Sequence, residues 1–178
     1  MQRVSAEELK ILYASGQRQF RAIDLSEAYL FDCDLRGVDL SSSNLTRIYL
    51  PYSNLSQSRL QNVCLVDAEL GDAKFYQVNL ESANLARANL SRANLRQANL
   101  QGANLSEVNL QGSDLSKANL QGAILSNTDL SRSNLDGTNL EGADLSGCNL
   151  FRAQNVDLTG AKLDSRTILP SGYRPNFP

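Results

Sequence analysis

The stretch Ser82–Leu105, SANLARANLSRANLRQANLQGANL, sets a small residue, an Asn and a Leu before two variable positions, and does so five times over. A Leu at every fifth position suits neither regular element. On an α-helix a five-residue step turns about 140° and spreads the leucines around the axis, and on a flat strand an odd step sends alternate leucines to opposite faces. The chain must therefore turn between one Leu and the next.

Outward from this stretch the register runs without a break. Taking the Leu as a centre, it holds from Phe20 through Leu25 and every fifth residue to Leu150, with Phe75 the one other centre that is not Leu. Two residues before each centre, from Ile23 to Cys148, stands Ala, Ser, Thr, Cys, Val or Ile. In an extended segment these two positions point the same way and the residue between them the opposite way. Each pentad is thus expected to bury a small residue and a Leu and to expose the Asn or Asp between them. The two residues after each centre supply a corner, and the pairs Ser-Arg, Gln-Gly, Ser-Lys, Asp-Gly and Glu-Gly suit turns in which Gly relieves backbone strain. Repeated corners close the chain into coils that stack at the strand spacing of about 4.8 Å, so the fold class is an all-β solenoid.

Length and charge bound the rest. The 178 residues are one domain's worth, and the net charge of -2 gives no reason to expect nucleic-acid binding through a basic face. Three cysteines in no metal or redox spacing fit a reducing compartment. No apolar run approaches the roughly 20 residues of a membrane span, and the first residues carry acids where a signal peptide is apolar. The reading is a cytoplasmic protein.

The pattern resembles the pentapeptide repeat family, whose loose consensus A(D/N)LXX is matched by Ala83-Asn84-Leu85 and by nearly every pentad from 23 to 150. The resemblance implies a right-handed quadrilateral β-helix with four pentapeptides and about 20 residues per coil. Residues 20 to 150 then make about seven coils, a rod about 30 to 35 Å long at the strand spacing. The handedness enters through the resemblance alone. The phrase LYASGQR at 12–18 is also similar to one found in cyanobacterial members that begin with a short helix.

Three segments follow. Residues 1–17 are a capping helix: Ser5 to Glu8 form a capping box, Leu9 and Leu12 share one face, and Gly16 ends the helix. Residues 18–163 are the repeat domain, with a register slip at 151–157 where Asn155 takes a centre position and Leu158 and Leu163 resume out of phase. Residues 164–178 are an irregular tail and C-terminal cap whose prolines cannot join a ladder, with Ile168 or Leu169 placed to cover the last coil.

Positions 20 apart stack in this arrangement, so outward residues can be mapped. Glu27, Arg47, Asp67, Arg87 and Glu107 form a row of alternating sign, which reads as reinforcement of the register. Tyr29, Phe31, Tyr49, Pro51 and Tyr52 gather on one face of two consecutive coils and form the candidate partner-binding face. The structural alternative is that these aromatics stack on one another or lie beneath the N-terminal helix.

Chemistry is sparse. With no histidine there is no His-based triad and no zinc site of the usual kind. Asp32 and Asp34 read as a solvated corner, and Arg87, Arg92 and Arg96 project from different corners of one coil. Cys33 and Cys148 are expected to be buried and Cys64 to be exposed. No catalytic, cofactor-binding or metal-binding residue is identified.

The leading reading is a non-enzymatic, rigid protein-protein interaction or scaffold module, fitted by the resemblance to cyanobacterial signalling or development, with an unidentified protein partner. One alternative, from another branch of the family, is a DNA mimic that binds DNA gyrase or topoisomerase. Its requirement for a dense acidic face is poorly met, because residues 20 to 150 hold fifteen acids interrupted by ten bases. A structural or stress-related rod without a single partner is the other alternative.

Overall fold

In a computed structural model, whose described residues are 1–175, the centres form one continuous apolar column. No centre from Leu25 to Leu150 is more than 2 % exposed. The small residues two positions earlier line the same core, so nearly every pentad buries the pair expected of it; Ala28 and Cys33 are only half-buried.

Stacking follows from the backbone. Parallel bridges link residues 20 apart all along the rod, from Asp24 with Asn44 to Asn134 with Gln154. Each coil therefore contains four short extended segments and four corners, a four-sided solenoid. The N–H of every centre from Leu25 to Leu135 donates to a carbonyl in the next coil, as from Leu90 to Asn109 at 2.7 Å.

The corners use a specific turn. The N–H three residues after a centre donates back to the carbonyl of that centre, as from Ala28 to Leu25 at 3.1 Å. The second residue after the centre has positive φ, 62° at Glu27, while Ser26 does not, which defines a type II turn. Gly fills this position at residues such as 102, 112 and 122, yet most corners place Glu, Arg, Asp, Gln or Ser there. The expectation of glycine corners thus covers a minority of them. The left-handed conformation costs a non-Gly residue about 1 kcal/mol, which the stacked hydrogen bonds on both sides offset.

Three features depart from the sequence reading. Gln2–Arg3 forms a short strand, β1, that pairs in parallel with Ile23–Asp24, β2, ahead of the helix. Val4 continues this pairing through its N–H to the Asp24 carbonyl at 3.0 Å and is buried. Second, the Asn residues expected to be exposed are mostly half-buried, because they stack in ladders: the Asn104 amide donates to Asn84 at 3.1 Å and the Asn139 amide to Asn119 at 3.2 Å. Their other role is local, the Asn104 Oδ1 accepting from the Ser106 N–H at 3.1 Å to shape the next corner. Third, part of the tail joins the ladder after the slip. Asp144 bridges Lys162 and Asn149 bridges Ile168, a spacing shortened to 18 and 19 residues. Pro170 takes part as an acceptor, from the Arg152 N–H at 3.0 Å.

The helix α1 spans Ala6–Ala14. The Ser5 hydroxyl accepts from the Glu8 N–H at 3.1 Å, and Gly16 leaves the helix at φ 100°. Leu9 is fully buried, with Ala6, Leu12 and Tyr13 packed beside it against the core. At the other end Thr167 is buried and Ile168 and Leu169 are half-buried. Residues 176–178, the end of the expected tail, lie outside the described residues.

Candidate functional site

The 20-residue register decides which side chains meet. Tyr29 and Tyr49 bridge each other on adjacent rungs, and the register lays one ring on the other with centroids 4.8 Å apart and planes 9° from parallel. Phe31 stacks on Tyr49 at 6.4 Å and meets Tyr52 edge-on at 5.6 Å. Pro51 lies within the same group, half-buried, its carbonyl accepting from the Asp32 N–H at 3.0 Å. All five residues named from the sequence are thereby brought together.

The rings stack on one another, as the structural alternative held, but they are not beneath the helix. Tyr29 is 63 % exposed, Tyr52 52 %, Phe31 44 % and Tyr49 36 %. The helix leans elsewhere, its Tyr13 hydroxyl donating to the Arg36 carbonyl at 2.9 Å and its ring lying 3.7 Å from the Arg18 guanidinium.

Beside the rings lies a shallow cleft of about 200 Å³ lined by Asp32, Cys33, Asp34, Tyr52, Asn54 and Lys74. Cys33 was expected to be buried and is half-buried. At this corner the Ser53 hydroxyl, one coil on, accepts from the Cys33 N–H at 3.0 Å and donates to the Leu30 carbonyl at 2.7 Å, taking the place of the direct turn bond, as Ser43 does at Ile23. Cys64, expected to be exposed, is half-buried, with its sulfur 3.3 Å from the Thr46 hydroxyl. Cys148 is buried as expected, and burial pushes its thiol up to about 12. Sequence reasoning missed the cleft because it is a local depression among unlike side chains from three rungs rather than a feature that repeats.

Electrostatics around the rod is mostly local pairing. In the alternating row, Arg47 pairs with Glu27 and Arg87 with Asp67 at 2.8 Å. Arg92 reaches Asp72 at 2.5 Å and Arg96 approaches Asp114 at 3.8 Å, so the three arginines 87, 92 and 96 each face a different carboxylate. The most buried acid is Asp39, 1 % exposed, held by Arg21 at 2.7 Å and approached by Arg59 at 3.9 Å. Burial raises its pKa, but hydrogen bonds from the Ser41 hydroxyl and N–H and from Arg21 outweigh that and hold it below the usual carboxylate range. Among the described residues no cluster of three or more ligating side chains could hold a metal ion. Among them, too, no helix is long and apolar enough to cross a membrane.

These features define the class first: a parallel β solenoid with four pentads per 20-residue coil. The Pentapeptide repeats profile matches residues 23–62, 39–77, 73–112 and 113–150, in eight copies. The chain belongs to the pentapeptide repeat family, whose fold is the right-handed quadrilateral β-helix.

Among solved structures, the chain is similar to HetL, a pentapeptide repeat protein involved in heterocyst differentiation regulation from the cyanobacterium Nostoc sp. strain PCC 7120. The two are 26 % identical over 97 % of this chain and 100 % of that one, with a TM-score of 0.60. QnrB1, a plasmid-mediated fluoroquinolone resistance protein, is 23 % identical over 82 % of this chain and 79 % of its own, with a TM-score of 0.56. Rfr23, from the cyanobacterium Cyanothece 51142, is 27 % identical over 79 % of this chain and 90 % of its own, with a TM-score of 0.46. No curated protein matches the chain.

Proposed function

We propose that this protein is a non-enzymatic interaction module, a rigid rod that presents the Tyr29, Phe31, Tyr49, Pro51 and Tyr52 face to a protein partner. The observation that carries this reading is four aromatic rings stacked on two adjacent rungs yet left 36 to 63 % open to solvent. Outward positions elsewhere on these coils are filled mostly by polar side chains that bond to their neighbours, and stacked Tyr rings give large, rigid contact area at little entropic cost.

The rod is read as about seven coils, residues 18–163, closed by the segment 1–17 and by the tail 164–178. Closed ends keep the ladder's edges from pairing with other chains and direct contacts to the sides. HetL, similar over its full length, is involved in heterocyst differentiation regulation in a cyanobacterium, and a regulatory role in cyanobacterial signalling or development extends that similarity to this chain. A reducing compartment, the cytoplasm, belongs to the same reading, since all three cysteines are free. The duplex-mimic alternative fits less well. A mimic of DNA needs uninterrupted acid, whereas here Arg47, Arg87 and Arg92 each neutralise a carboxylate one rung away, and the likeness to QnrB1 is one of fold.

The test is affinity capture from a cyanobacterial lysate, with the wild-type rod compared with a variant carrying Tyr29→Ser, Tyr49→Asn and Tyr52→Ser. Far-UV circular dichroism checks that both are folded. A protein retained by the first and lost by the second supports the aromatic face as a docking surface. Identical captures by both rods would refute it.

A further inference from the structure

One corner column of the rod bounds both the ring-bearing face and the cleft. It runs from Asp32 and Tyr52 through Asp72, Arg92 and Gly112 to Arg132 and Arg152, every member at positive φ and so projecting at equivalent positions. In the middle Asp72 and Arg92 neutralise each other, with Arg92 Nε donating to Asp72 Oδ1 at 2.8 Å. The ends are not neutralised. Among the described residues Asp32, Arg132 and Arg152 make no ion pair, and all three are exposed. One end thus offers aromatic rings beside a carboxylate without an ion pair, and the other offers two guanidiniums without a carboxylate partner, that of Arg152 lying 5.1 Å from the Phe151 ring.

The column is complementary to itself when reversed. Asp32 and Arg152 lie three rungs to either side of Arg92, about 14 Å at the strand spacing. Tyr52 and Arg132 lie two rungs to either side. A second copy laid antiparallel along this corner, related by a two-fold axis across the rod at Arg92, sets Asp32 of each copy against Arg152 of the other. It also sets the Tyr52 ring of each under Arg132 of the other. Arginine over a tyrosine face is a favourable pairing, and each contact occurs twice by symmetry. On the cleft face Lys74 and Asp114 stand one rung to either side of the same axis, and Lys74 of one copy meets an Asp114 that already faces Arg96 at 3.8 Å within its own copy. The two Arg92 side chains that approach at the axis are each already held by Asp72, which removes the like-charge clash.

Resting on the reading of the aromatic face as a protein-docking surface, we infer that its occupant is a second copy of this chain, joined in an antiparallel, two-fold dimer along the Asp32–Arg152 corner. The contact is about 29 Å long, six rungs, but narrow. It falls in the small size class of interfaces, so the dimer is reversible, with a dissociation constant in the micromolar range, and salt-sensitive.

Sedimentation equilibrium up to about 200 µM protein tests this, a concentration above the micromolar range of so small a contact. Wild type is compared with Asp32→Arg, with Arg152→Asp and with the double exchange, all checked for an unchanged circular dichroism spectrum. The expected result is a monomer–dimer equilibrium that each single change weakens at least about tenfold, since both symmetric contacts turn repulsive, and that the double exchange restores. A wild type that stays monomeric, single changes without effect, or a double exchange that fails to restore association would each overturn the dimer. These variants keep the rings intact, so the capture experiment reads separately. A monomeric wild type that still captures a protein through its rings loses the self-association and keeps the docking surface.

Discussion

Leu90→Ala isolates what the inward ladder contributes. Leu90 is fully buried, with Leu70 and Leu110, its equivalents one rung to either side, equally so. The backbone at this rung is pinned in both directions, Leu70 donating to Asn89 at 2.8 Å and Leu90 to Asn109 at 2.7 Å, so neighbouring coils cannot close over a missing side chain. Burial loss and the unfilled cavity then place the cost toward the middle or top of the usual range for this truncation, about 3 to 4 kcal/mol. At a urea slope of about 2 kcal/mol per molar, the unfolding midpoint falls by about 1.5 to 2 M. Far-UV circular dichroism against urea is the assay. Leu90→Asp keeps the position and adds a carboxylate with no partner in an apolar column, a cost above about 4 kcal/mol that should abolish the folded signal. If Leu90→Asp left the transition unchanged, or Leu90→Ala moved it by less than about 0.5 M, the assignment of the centres to the interior would be wrong.

Other consequences are equally direct. A thiol reagent at neutral pH should modify Cys33 and Cys64, both half-buried, well before Cys148, whose thiol burial pushes up to about 12; three equally fast thiols would contradict the packing. Stability should fall on acidification. Around Asp164, burial raises the pKa, but the Gly147 N–H and the Arg166 guanidinium more than offset it and hold the carboxyl at about 2, while Asp39 is also lowered. Lowered folded pKa values mean that this stability is complete above the ordinary carboxylate value near 4 and is lost as pH falls through the folded values. The melting temperature should therefore drop between about pH 4 and 2, and Asp39→Asn or Asp164→Asn should flatten the decline; an unaltered slope in both would exclude these groups as its source. Ser53→Ala should cost about 1 kcal/mol, because the Cys33 N–H can turn onto the Leu30 carbonyl as other corners do; a loss above about 3 kcal/mol would show that this corner cannot close.

What could be read from the sequence was what repeats. Leucine at every fifth residue specifies burial, turn and stacking together, because no other path of the chain keeps all those side chains inside. The 20-residue coil then makes Tyr29 and Tyr49 neighbours before any coordinates are seen, and their 4.8 Å stacking follows. What was not legible depends on backbone or on single insertions. Gln2 and Arg3 carry no apolar signal and join the ladder through main-chain pairing, with the Arg3 guanidinium near Asp24 and the Ser26 carbonyl. Cys33 has the sequence context of a buried small residue and is half-buried, its N–H bonded to a hydroxyl from the next coil instead of to the turn carbonyl, a substitution that no local pattern announces. The Asn ladders were read as exposure because alternation tells direction but not the reach of an amide to its copy one rung away. The same logic ranks the surface. A side chain that matches its neighbours 20 residues away is already used by the rod, as Glu27 with Arg47 or Asn84 with Asn104. What the ladder leaves open to solvent is the area of the rings, which stack on one another yet stay 36 to 63 % exposed, together with Asp32, Arg132 and Arg152, which among the described residues make no ion pair.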